Sequence, residues 1–111
     1  VILGPFAPYG HGSIIQVIEA TTRHVALVLE KFQTQNIKSL VPKKEAVIEL
    51  KQHRELYLKR TIWNAPCSTW FKLGPSGENI MMWPGSRLHS FDILLKPRWE
   101  VREFELTRIF E

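Results

Sequence analysis

From Ser13 to Asn36 the chain carries a pattern that only a long helix satisfies. Ile14, Ile18, Val25, Leu29 and Phe32 recur at helical spacing, with Thr21 on the same stripe. Thr22, Arg23, Glu30 and Lys31 fall mostly on the other side. Ser13 stands where an N-cap belongs, and Gln16 three residues later completes a capping-box pattern. Asn36 suits a left-handed C-cap, after which Ile37 folds back onto the last turn. The pattern predicts a helix of about six turns.

The segments around this helix are shorter. Val1-Ile2-Leu3 reads as the end of a buried strand, running into a Gly- and Pro-rich loop from Gly4 to Gly12. Ile37 to Val41 is extended, and Pro42 suits the first position of a second helix. That helix runs over Lys43 to Lys59 with Ala46, Val47, Leu50, Tyr57 and Leu58 as its apolar positions, and Lys59-Arg60 in its last turn favour the dipole. Cys67 to Lys72 and Ile80 to Trp83 read as strands joined by the turn cluster Gly74 to Asn79. Ser86 caps a short helix built on Leu88, Phe91, Leu94 and Leu95, which Pro97 ends. Trp99 to Leu106 alternates weakly, with Arg102 on the side of Phe104 and Leu106. The expected fold is α+β, with two main helices, a short third helix and a small antiparallel hairpin. It forms one small domain over residues 1–111, a length that suits a single core.

Composition excludes several classes. With 44% hydrophobic and 23% charged residues the chain is globular in type. Its one cysteine, Cys67, allows no intramolecular disulfide and fits a cytoplasmic setting. The longest apolar runs, such as Val25–Leu29, fall far short of the roughly 20 residues that span a bilayer. The first residues show no secretory leader pattern. A net charge of +4 invites thoughts of nucleic acid. The basic residues, however, are scattered among glutamates and no nucleic-acid motif is present, so no such partner is expected.

Few residues suggest chemistry. Gly10-His11-Gly12-Ser13 opens a helix, where free N–H groups and the positive dipole end favour an anion or an electron-rich oxygen. The plain alternative is a tight connector with an ordinary cap. No dinucleotide fingerprint follows, because position 15 is Ile15 rather than glycine. His11, His24, His53 and His89 show no His-x-x-x-His pairing and Cys67 has no neighbouring cysteine, so no metal site is expected. His24 reads as a surface or boundary residue and His53 as part of a solvated face; His11 sits where a ring can face a ligand. Cys67 reads as a small apolar residue. Trp63, Trp70, Trp83 and Trp99 read as core anchors, with Trp70 and Trp83 as candidate walls of an apolar pocket.

The segments also fall in a familiar order. They are Gly4-Pro5-x-x-Pro8-x-Gly-x-Gly12-Ser13, Ile18-Glu19, Ile37-Lys38-Ser39, Pro42-Lys43-x-Glu45-Ala46-Val47, Lys59-Arg60-Thr61-x-Trp63, Cys67-x-x-Trp70-Phe71-Lys72, Trp83-Pro84-Gly85-Ser86 and Pro97-Arg98-Trp99-Glu100. This series resembles the C-terminal region of fungal Baeyer–Villiger monooxygenases of polyketide and terpenoid pathways. The resemblance implies FAD and NADPH as family cofactors and a flavin peroxide that inserts oxygen beside a ketone. It places Gly4, Pro5, Gly10, Gly12 and Ser13 near the flavin and the Trp70-Phe71-Lys72 strand by the active site. The fold is then a remnant of an FAD domain.

The departures from that family matter as much. The sequence holds neither nucleotide fingerprint, nor the linking fingerprint, nor the arginine expected to hold peroxyflavin and NADP. No cofactor and no independent oxygenation are therefore expected of the isolated chain. The leading expectation is a truncated or C-terminal segment of such a monooxygenase, with the remainder of that enzyme or a second copy as partner. The alternatives are a cofactor-free cyclase or isomerase on an apolar natural product, or a non-catalytic assembly module. A cofactor-free catalyst would draw its polar groups from His11, His53, Arg60 and His89.

Overall fold

The computed structural model describes residues 4, 7, 10, 12–73 and 77–106. Three helices and two strands follow in the order α1 (Ile14–Gln35), β1 (Ile37–Pro42), α2 (Lys44–Leu58), α3 (Arg87–Leu95) and β2 (Arg102–Leu106). Single 3₁₀ turns lie at Ile62–Asn64, just after α2, and at Trp99–Val101, just before β2. The α+β class expected from the sequence is the one observed.

The helix ends obey local chemistry. Ser13 caps α1 by accepting from the Ile15 amide at 3.3 Å, one residue short of the capping-box geometry. Asn36 closes the helix in the left-handed region at φ 50°, and Ile37 behind it is buried. Ser86 Oγ accepts from the His89 amide at 3.1 Å to start α3. The start of α2 differs from expectation: Pro42 ends β1, Lys43 is the N-cap, and Lys59 and Arg60 lie beyond the last turn. Pro42 has no N–H to give, and Lys43 donates its own to Val101 at 2.8 Å, so the sheet side claims this junction.

α1 buries a different face from the stripe that marks it in the sequence. Val17 and Ala20 are buried, and His24, Leu27, Val28 and Lys31 continue that face half-buried. Ile14, Ile18 and Leu29 stay 43%, 43% and 56% exposed. At 3.6 residues per turn the two faces are roughly 100° apart. α3 packs on α1 along the first face, while Thr21, Val25 and Phe32 of the second are half-buried and its remaining members stay exposed.

The two-stranded antiparallel sheet joins residues far apart in the chain. β1 pairs with β2 in a register that sets Ile37 opposite Leu106, Leu40 opposite Phe104 and Pro42 opposite Arg102, with an irregularity between Ile37 and Ser39. The 67–83 region instead forms one antiparallel bridge, Lys72 to Asn79. Two cross-segment bonds flank that bridge, from the Leu73 amide to the Glu78 carbonyl at 3.2 Å and from the Ile80 amide to the Phe71 carbonyl at 3.0 Å, and beyond them the amides go elsewhere. Asn79 Oδ1 accepts from Met81 and Met82 at 3.2 and 3.1 Å, and Trp83 donates to the Ala7 carbonyl at 3.2 Å. Lys72 turns inward to donate to the Ala65 carbonyl.

This segment wraps the end of α2 and builds the core there. Leu58, Phe71 and Met82 are buried together, with Tyr57, Trp63 and Met81 packed around them. Trp63 and Phe71 meet edge to face at 5.6 Å. Arg54 is buried beside this core and pairs with Glu78. Burial pushes its guanidinium below the ordinary value, and Glu55 offsets part of that.

Candidate functional site

A cavity of about 620 Å³ opens between α2, α3 and the sheet. Ala46, Val47, Leu50 and His53 share one face of α2 and form its first wall. His89 and Ile93, one turn apart on α3, form the second together with Trp83. Leu40, Pro42, Val101 and Arg102 close it from the sheet side. Its size and largely apolar lining fall within the range of small-molecule sites.

The polar groups on these walls have defined roles. His53 Nε2 lies 3.3 Å from the Pro84 carbonyl, which only accepts. The ring therefore donates from Nε2, and in the neutral ring Nδ1 is then an acceptor. His24 Nδ1 lies 2.8 Å from the Leu94 carbonyl, and its Nε2 lies 3.1 Å from Arg102 Nη2. A carbonyl must receive and an arginine must give, so His24 is the neutral Nδ1–H tautomer with both nitrogens engaged. His89 packs against Trp83 with ring centroids 5.6 Å apart. Gly85 makes this approach feasible, since a Cβ there would lie 2.9 Å from both His89 Nδ1 and Trp83 Nε1.

Arg102 is the unusual member. It is half-buried, and burial pushes its guanidinium below the ordinary value. Its neighbours are neutral His24 and the Trp99 ring, 5.7 Å from its centre. Among the described residues no carboxylate pairs with it. Arg98 differs, because Glu100 holds it at 2.7 Å. That bond draws the Glu100 carboxyl below its usual range.

Of the residues singled out in the sequence, the cavity gathers His53, His89 and Trp83. Arg60 lies outside it, exposed with its guanidinium 5.7 Å from the Tyr57 ring centre. Trp70 is 68% exposed and rests edge-on against Phe71. His11 and Pro5 lie outside the described residues. Gly4 is half-buried, and Gly10, Gly12 and Ser13 are exposed ahead of α1. Sequence reasoning missed Arg102 and read His24 only as a surface or boundary residue, which its half-buried position matches. The one available signal was an arginine on the apolar side of an alternating strand. Among the described residues, no group of His, Cys, Asp or Glu large enough to hold a metal ion gathers.

Comparison with known proteins places the chain near flavin enzymes. It is 35% identical over 104 residues to a probable FAD-binding monooxygenase of Aspergillus luteorubrus, covering 94% of this chain and 21% of that protein. It is 29% identical over 105 residues to an FAD-binding monooxygenase of Emericella nidulans, covering 95% and 17%. A Baeyer–Villiger monooxygenase of Streptomyces coelicolor is 30% identical over 87 residues, covering 77% and 17%. The chain thus resembles one part of fungal FAD-binding and Baeyer–Villiger monooxygenases, spanning about a fifth of the length of these curated relatives. No family model matches it, and no solved structure matches it.

The described residues do not by themselves fit FAD or NADPH. The glycines ahead of α1 would have to leave open backbone for a ligand. A Cβ at Gly10 would meet the Trp63 ring, and one at Gly12 would meet the Arg87 guanidinium. The space that these glycines leave is taken by the chain's own side chains. Arg87 also donates to the Ser13 carbonyl, tying α3 to the start of α1.

Proposed function

We propose that this chain is the C-terminal unit of a Baeyer–Villiger-type flavin monooxygenase, and that the FAD and NADPH chemistry is carried by residues outside it. The observation that carries this reading is the exposure of Ile14, Ile18 and Leu29 on the apolar stripe of α1. An apolar face of this kind on a long helix calls for a partner surface. The chain's extension agrees: its radius of gyration is 16.3 Å, where a compact domain of this length has about 13 Å. The role of the unit is to pack this face against the nucleotide-binding body. The substrate class is an apolar ketone of a biosynthetic pathway.

The intact mass of the protein made by its native host tests this. A mass several times 13.0 kDa, with flavin absorbance in the purified protein, supports the reading. A mass near 13.0 kDa with no flavin sinks it. One observation favours a second reading, a cofactor-free cyclase or isomerase: His53, His89 and Trp83 converge on a cavity of ligand size. Turnover of an apolar intermediate by the small protein alone would support that reading.

A further inference from the structure

Arg102 presents a charge that this chain does not neutralise. One N–H of its Nη2 is spent on His24, and its other N–H groups have no hydrogen-bond partner among the described residues. A half-buried guanidinium is held in place by two neutral groups, His24 and Trp99. Leu94 in turn fixes His24 through its carbonyl, so the arginine is oriented from behind. Such an arrangement leaves a planar donor edge on the wall of a space that Leu40, Ala46, Val47, Leu50 and Ile93 line with apolar surface and that Arg98, His53 and His89 also reach. Glu49, the acid among the lining residues, is exposed and makes no ion pair with Arg102. Across the cavity, Ala46, Val47 and Leu50 offer a flat apolar face, and Trp83 an aromatic one.

We propose that this cavity binds a planar apolar carboxylate, with its carboxyl group on the free edge of Arg102 and its rings between the apolar face of α2 and Trp83. His53 Nδ1 is a second anchor for a hydroxyl on such a ligand. The proposal does not depend on which reading of function holds, because it concerns binding within this chain alone.

Calorimetric titration with 1-naphthoate tests it, using 1-naphthamide as the neutral control and the protein in the form its host produces. Naphthoate should bind more tightly than the amide by roughly ten- to hundred-fold, the range of a charge-assisted arginine contact. Arg102→Gln should bring naphthoate down to the level of the amide and leave the amide unchanged. Ala46→Phe, which fills the cavity from α2, should weaken both. Equal affinity for the two probes, or naphthoate binding that Ala46→Phe leaves intact, overturns the proposal. So does an absence of binding, the result expected if another part of the polypeptide fills the cavity. If circular dichroism shows that Arg102→Gln has lost its fold, Ala46→Phe and the naphthamide comparison decide the matter.

Discussion

Asn79 is the residue whose loss should cost this fold most for its size. Only 4% of it is exposed, and its Oδ1 accepts from two consecutive amides, Met81 at 3.2 Å and Met82 at 3.1 Å. Its Nδ2 reaches the Trp63 carbonyl at 3.5 Å, a contact too long to add much. Asn79→Ala removes the acceptor and leaves both donors behind. Met82 is buried, so its amide bears a full desolvation penalty of about 1–3 kcal/mol. Met81 is half-buried and water reaches it more readily, so its share is smaller. The expected loss is about 2–3 kcal/mol. For a domain of 111 residues this corresponds to a fall in Tm of about 10 °C. Urea unfolding at unchanged m measures the loss, and amide exchange at Met81 and Met82 should accelerate in step. A loss under about 0.5 kcal/mol with unchanged exchange would refute the reasoning, since those amides would then have another acceptor.

Two further outcomes are expected. Glu105 is held below its ordinary value of 4.5 by Lys38 and Ser39, and Lys38 is raised above 10.5 by Glu105. The first contribution is present above the unfolded carboxylate pKa and lost as pH falls through the lowered folded one. The second is present below the unfolded lysine pKa and lost as pH rises through the raised one. The β1–β2 pairing should therefore be firmest between these limits, and because both groups are exposed, added salt should flatten the profile of β2 amide exchange against pH. Gly85→Ala should force Trp83 and His89 apart, costing about 1–3 kcal/mol and changing the near-ultraviolet circular dichroism of the tryptophans; an unchanged spectrum and stability would count against the close approach.

What the sequence revealed was whatever is decided within a few residues. The span of α1, the caps at Ser13 and Ser86 and the left-handed Asn36 all follow from contacts between neighbours four or fewer positions apart. The sheet did not follow, because β1 and β2 are brought together by the whole fold and the alternation in Trp99–Leu106 is interrupted by a 3₁₀ turn. The hairpin pattern at 67–83 was real in composition. Asn79 and Ala7 nevertheless took the amides that a second strand would have used. The ladder there stops after the bonds from Leu73 to Glu78 and from Ile80 to Phe71, because a polar side chain takes the next amides, and no periodicity rule registers that.

The site was legible only by halves, for the same reason. His53, His89 and Trp83 were singled out as polar or aromatic groups, yet nothing in their spacing placed them around one cavity. Arg102 was not singled out and His24 was read as a boundary residue because each looks ordinary alone; their meaning lies in a 3.1 Å contact across 78 positions. The α1 stripe shows the converse. A strong local pattern pointed to a face of which Ile14, Ile18 and Leu29 stay exposed, while the weaker pattern through Val17, Ala20 and His24 received α3. That Ile14, Ile18 and Leu29 stay exposed while Val17 and Ala20 are buried shows that tertiary contacts, not the local pattern, chose the buried face.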